Sequence, residues 1–171
     1  MIGPMQEMVI YGVSFDMVGK QPIVLLKTVQ TNRFLPIWIG HPEASAILAK
    51  LQDSDTPRPM THDLFSAALG ELDAELVKIE VVEMKDSTFF AKVVLRRDGE
   101  EVSLDARPSD AIALALRAKA PIFAADDVIE ASAIRMEEGE DEAAAAEPEQ
   151  LVEDFKQFLE DVRPEDFGAD G

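Results

Sequence analysis

Two carboxylates, a guanidinium and a hydroxyl fall within the six residues Asp105-Ala106-Arg107-Pro108-Ser109-Asp110. Hard cations such as Mg²⁺ or Mn²⁺ take carboxylate oxygens, and a bound cation can activate water for attack on a phosphodiester. Asp105 and Asp110 are therefore candidates both for catalysis and for metal ligation. Arg107 could hold a phosphate or the charge that develops on phosphorus. An architectural reading stands beside this one: Asp110 stabilises a helix N-terminus, while Asp105 pairs with Arg107 two positions along a strand edge. The only two histidines are His41 and His62. Each could serve as a general base or a ligand, or could instead act as a helix cap. Acidic residues follow both, in His41-Pro42-Glu43 and His62-Asp63. Glu43, Asp63, Asp105 and Asp110 make up the candidate metal-ligand set, and Arg58 joins Arg107 as a candidate for binding substrate phosphate.

The elements that must position these groups can be read from periodicity. Val102, Leu104 and Ala106 alternate with Ser103 and Asp105, which predicts a half-buried strand over 101–106. Pro108 suits a helix's first turn, and the helix should run to about Lys119 with Ile112 and Leu116 in its apolar body. Residues 7–15, 22–29 and 33–39 read as strands, with a turn at Thr31-Asn32. Gly40 or His41 should cap the next helix, with Pro42 at its first position and Ala44, Ile47, Leu48 and Leu51 on one face. After a loop over 53–59, Thr61 is the expected cap of a helix buried through Leu64, Phe65, Ala68, Leu69 and Leu72. Strands are expected over 75–84, with Val77, Ile79 and Val81 inward, and over 88–96. Asp98-Gly99 should turn the chain into the strand at 101–106. A short apolar segment lies at Ile122-Phe123-Ala124. These elements predict an α+β fold with a mixed or largely antiparallel sheet packed with about three helices.

Three segments together resemble the bifunctional nuclease (DNase/RNase) domain family. They are Leu35-Pro36-Ile37-Trp38-Ile39-Gly40-His41-Pro42-Glu43-Ala44, Arg58-Pro59-Met60-Thr61-His62-Asp63-Leu64, and the run from Leu104 to Arg117. They occur in the family's order and spacing, and the match covers about residues 6 to 135. The resemblance implies metal-assisted cleavage of DNA and RNA, with Mg²⁺ or Mn²⁺ as the cation, and it favours a homodimer or larger assembly. Thr61 and Ser109 are read as helix caps, because no Ser-His-acid order accompanies them. Trp38 is read as core or interface, with stacking on a base as its functional alternative. Phosphate-binding loop and dinucleotide fingerprints are both absent.

Composition narrows the partners. With no cysteine there is no disulfide framework or thiolate site, which fits a cytoplasmic protein. No apolar run approaches a membrane span, and no secretory signal pattern is found. The net charge is −18, and residues 136–171 hold 14 Asp and Glu against Lys156 and Arg163. The remaining residues are still acidic, so strong nonspecific binding to duplex nucleic acid is not expected. Residues 1–135 should form the nuclease-like domain, residues 136–148 an acidic disordered linker, and residues 149–171 a C-terminal amphipathic helix and tail. The helical stripe there is Leu151, Val152, Phe155, Phe158, Leu159 and Val162. That tail defines a rival reading of another class, a non-catalytic regulatory protein that recruits a basic partner.

Overall fold

A computed structural model describes residues 3–135. The expected linker and C-terminal helix, residues 136–171, lie outside the described residues. Eight strands form one sheet: β1 (Met5–Asp16), β2 (Gln21–Thr28), β3 (Arg33–Trp38), β4 (Glu75–Lys85), β5 (Thr88–Arg97), β6 (Glu100–Ala106), β7 (Ile122–Ala125) and β8 (Ile134–Arg135). Four helices accompany them: α1 (His41–Leu51), α2 (Thr61–Glu71), α3 (Pro108–Ala118) and α4 (Asp126–Ser132).

The strand order is β6-β5-β4-β7-β1-β2-β3-β8. Two antiparallel runs, β1-β2-β3 and β4-β5-β6, are joined through β7, which lies antiparallel to β1 and parallel to β4. The fold is α+β with a mixed sheet. Local chemistry explains the hairpins. Asp98 and Gly99 both take positive φ, 52° and 81°, as the tight turn between β5 and β6 requires. The other crossings are made by helices. The chain reaches β4 from β3 through α1 and α2, and it reaches β7 from β6 through α3. Helix α3 packs against both α1 and α2 and against β4 and β5. Its Ile112 and Ala113 are fully buried and join Leu26, Leu35, Ile47, Ile79 and Val81 in the core.

Several local expectations are corrected. Leu76, rather than Val77, takes the core position beside Ile79 and Val81, because β4 bulges between Leu76 and Lys78. Thr61 does not cap α2; Met60 does, and the Asp63 carboxylate accepts the Met60 N–H at 2.8 Å, which closes the helix start from three residues inside. Ser109 likewise lies inside α3, capped at Arg107, and is 6% exposed. Gly40 caps α1, so Pro42 stands at the second helical position. The fourth helix, α4, has seven residues and buries only Val128 and Ile129, too short a pattern to stand out in sequence.

Candidate active site

Three helix N-termini meet beside the end of β6. Helix α3 starts directly after β6 and carries Arg107 as its cap and Asp110 in its first turn. Helix α2 contributes His62 and helix α1 contributes Glu43, each from the first turn. Their side chains form one continuous row. His62 Nε2 lies 2.9 Å from Asp110 Oδ1; Arg107 Nε donates to Asp110 Oδ2 at 2.7 Å; and Arg107 Nη2 donates to Glu43 Oε1 at 2.8 Å. Glu43 and His62 are largely buried, whereas the Arg107 side chain is 65% exposed.

Burial pushes the Asp110 carboxyl up, but hydrogen bonds and charge from Arg107 and His62 outweigh it, and the group sits below the usual carboxylate range. Arg107 is shifted the other way, chiefly by its bond to Asp110 and that group's charge, with Glu43 adding to it. An ionised Asp110 can only accept, so His62 Nε2 must carry the proton of their hydrogen bond. In its neutral form an imidazole bonded in this way presents Nδ1 as a proton acceptor. A cleft of about 390 Å³ opens beside this pair, lined by His62, Asp110 and Arg107 together with Phe65, Leu104 and Leu114.

The other candidate residues stand apart from the row. Asp105 lines the same cleft but faces Lys92 across the β5–β6 ladder. The ion-pair partners of Arg107 are Glu43 and Asp110, so the expected Asp105–Arg107 pair is not formed. The cause is distance in fold rather than in sequence: α1 brings Glu43 to the free side of the guanidinium. His41 lies with its ring centroid 6.2 Å from that of Phe15. Asp63 turns to the far end of α3, where its Oδ1 accepts from Arg117 Nε at 2.5 Å. Arg58 belongs to a second cleft of about 330 Å³, which it lines with Lys50, Asp63 and Arg117.

The donor set expected for Mg²⁺ or Mn²⁺ does not fit a cation site in this arrangement. Among the described residues no three His, Asp or Glu side chains are grouped as metal ligands. Glu43 and Asp110 are instead bridged by a guanidinium, and Asp63 is taken by another.

Two residues matter more than their sequence context indicates. Arg117 is 6% exposed and donates to Asp63 of α2, to the Ala46 carbonyl of α1 and to the Ala113 carbonyl of its own helix. An arginine in the last turn of an otherwise apolar helix was its only signal. Trp38 is 52% exposed rather than core. It lines a third cleft, of about 290 Å³, together with Arg107.

Comparison with known proteins gives the family. Residues 24–137 match the bifunctional nuclease domain family. An uncharacterized protein of Mycobacterium tuberculosis is 37% identical over 166 residues, covering 96% of this chain and 99% of that protein. Bifunctional nuclease 1 of Oryza sativa subsp. indica is 28% identical over 110 residues, covering 63% of this chain. Bifunctional nuclease 1 of Arabidopsis thaliana is 30% identical over 105 residues, covering 59% of this chain. The matched part spans about a third of each plant protein, 33% and 32% respectively. The chain belongs to the bifunctional nuclease domain family.

Proposed function

We propose that this protein is a nuclease that hydrolyses phosphodiester bonds of DNA and RNA. The observation that carries this reading is the His62–Asp110–Arg107 row at the mouth of an open cleft. Asp110 fixes the imidazole's orientation and tautomer. His62 Nδ1 takes the proton of the attacking water as its oxygen bonds to phosphorus, and the ester oxygen leaves with a proton from solvent or from the imidazolium. Arg107 faces the negative charge that grows on the phosphoryl oxygens. The plant relatives that carry the name bifunctional nuclease lend further support.

The test is cleavage of end-labelled single-stranded DNA and RNA by the full chain, by His62→Ala and by Arg107→Ala. Each variant should lose about 100- to 10,000-fold in kcat/KM while its circular dichroism is unchanged. Activity equal to that of the unaltered chain in both variants would overturn the assignment. Divalent-metal dependence, with Mg²⁺ or Mn²⁺, is a separate arm, carried by the family resemblance and not by the donor geometry. Cleavage lost to a chelator and restored by Mn²⁺ supports it, and cleavage that persists removes it. A homodimer or larger assembly and a cytoplasmic setting complete the proposal. Exposed apolar side chains support the first, and the cysteine-free composition supports the second.

A further inference from the structure

Arg107 is the wall shared by two clefts. On one side stand His62 and Asp110; on the other stand Trp38, Phe89, Ser87 and Thr88. The Trp38 cleft is built from the end of β3, the turn between β4 and β5, and the start of α3. A tryptophan left 52% exposed at the end of a sheet strand sacrifices burial that its neighbour Ile37, at 2%, obtains. Much of the indole π-surface therefore stays open. Phe89, partly buried, supplies a second aromatic side chain to the same cleft. Ser87 and Thr88 line the cleft as well, and a hydroxyl can hydrogen-bond the edge of a flat polar ring.

We infer that this cleft is a nucleobase subsite, in which an unpaired base stacks on Trp38 while its phosphate rests at Arg107. This inference rests on the nuclease reading and extends it to the class of substrate. Charge points the same way. Phosphate contacts and counterion release drive most duplex binding, and a chain of net charge −18 gains little from them. Base–aromatic stacking needs no net positive charge, but it does need a base out of its helix. The substrate is thus a single-stranded or frayed segment, placed with one nucleotide at Trp38 and the neighbouring phosphodiester beside His62.

Trp38 is the only tryptophan of the chain, so its fluorescence reports directly on the cleft. The full chain is titrated with thymidine 5′-monophosphate and with 2-deoxyribose 5-phosphate, which has the phosphate but no base and, like the nucleotide, no diester to cleave. Steady-state cleavage of a single-stranded oligonucleotide is then measured for Trp38→Ala and Trp38→Phe. Saturable quenching by the nucleotide alone is expected. KM should rise about 5- to 100-fold in Trp38→Ala with kcat little changed, and Trp38→Phe should recover most of the loss. Equal quenching by both ligands, or no quenching, overturns the subsite, as does an unchanged KM in a folded Trp38→Ala. The nuclease reading fails separately: if base-dependent quenching occurs but no cleavage is found, the base site stands and the catalysis does not.

Discussion

At the scale of single residues, the site works by sharing one guanidinium between two carboxylates. Glu43 and Asp110 together carry more negative charge than Arg107 neutralises, at the point where a phosphodiester has to approach. Glu43 is the carboxylate of the row that is not hydrogen-bonded to His62, so its charge can be removed without disturbing the His62–Asp110 pair. Glu43→Gln keeps an oxygen able to accept from Arg107 Nη2 while abolishing the charge. We expect KM for an oligonucleotide to fall about two- to fivefold at low salt, with the difference shrinking as salt is raised to about 0.5 M. A rise in KM would show instead that the ionised Glu43 is needed to aim the guanidinium. The residue types of this row were legible in the sequence; their partnership was not. His62 and Asp110 are 48 positions apart and Glu43 and Arg107 are 64 apart, so only the tertiary fold could choose Glu43 over the nearer Asp105.

At the scale of elements, the row exists because three helices start at one place, and Arg117 fixes them there. Its buried guanidinium binds α1 through the Ala46 carbonyl and α2 through Asp63. Asp63 serves α2 twice, since its other oxygen accepts the Met60 N–H. That backbone bond is the main reason its carboxyl lies below the usual range; burial opposes the shift, and Arg117 adds to it. A carboxylate whose folded value is lowered contributes stability above its unfolded value, and that contribution is lost as pH falls through the lowered one. Asp63→Asn should therefore destabilise the core by about 1–2 kcal/mol at pH 7, an estimate reduced for the partial exposure of Asp63 and raised for the buried charge left on Arg117. The gap between the variant and the unaltered chain should close as pH falls below the ordinary carboxylate range. Urea unfolding at pH 7 and near pH 3 measures both; an equal gap at the two pH values would exclude ionised Asp63 as the stabilising group. Hairpins and long helices were legible here because Asp98-Gly99 and the 3.6-residue periodicity are local signals. The bulge at β4 and the cap at Met60 were not, because each depends on a partner that periodicity cannot see, and the seven residues of α4 are too few to show a period.

At the scale of the whole molecule, the apolar surface is unevenly finished. Helix α2 runs for 11 residues without fully burying one of them, and Leu64, Phe65 and Leu72 are 65%, 42% and 56% exposed. Strand β6 is the outer strand of its end of the sheet, and its Val102 and Leu104 are 52% and 39% exposed. Phe65 and Leu104 line the same cleft as His62, so this face borders the catalytic row and lies on the other side of Arg107 from Trp38. A monomer rarely leaves apolar side chains of this size open together, and an edge strand without a partner among the described residues adds a row of free backbone donors and acceptors. A second copy of the chain would satisfy both, because a two-fold interface places the same patch against itself. We therefore expect sedimentation of the full chain at micromolar concentration to give a dimer or larger species. Leu64→Glu combined with Leu72→Glu should shift it to monomer while leaving circular dichroism unchanged, since neither side chain is part of the core. Salt separates this association from a charge-driven one: burial of apolar surface survives high salt, whereas contacts between ions weaken. A full chain that sediments as a monomer at every salt concentration would mean that α2 and β6 face water in the working protein.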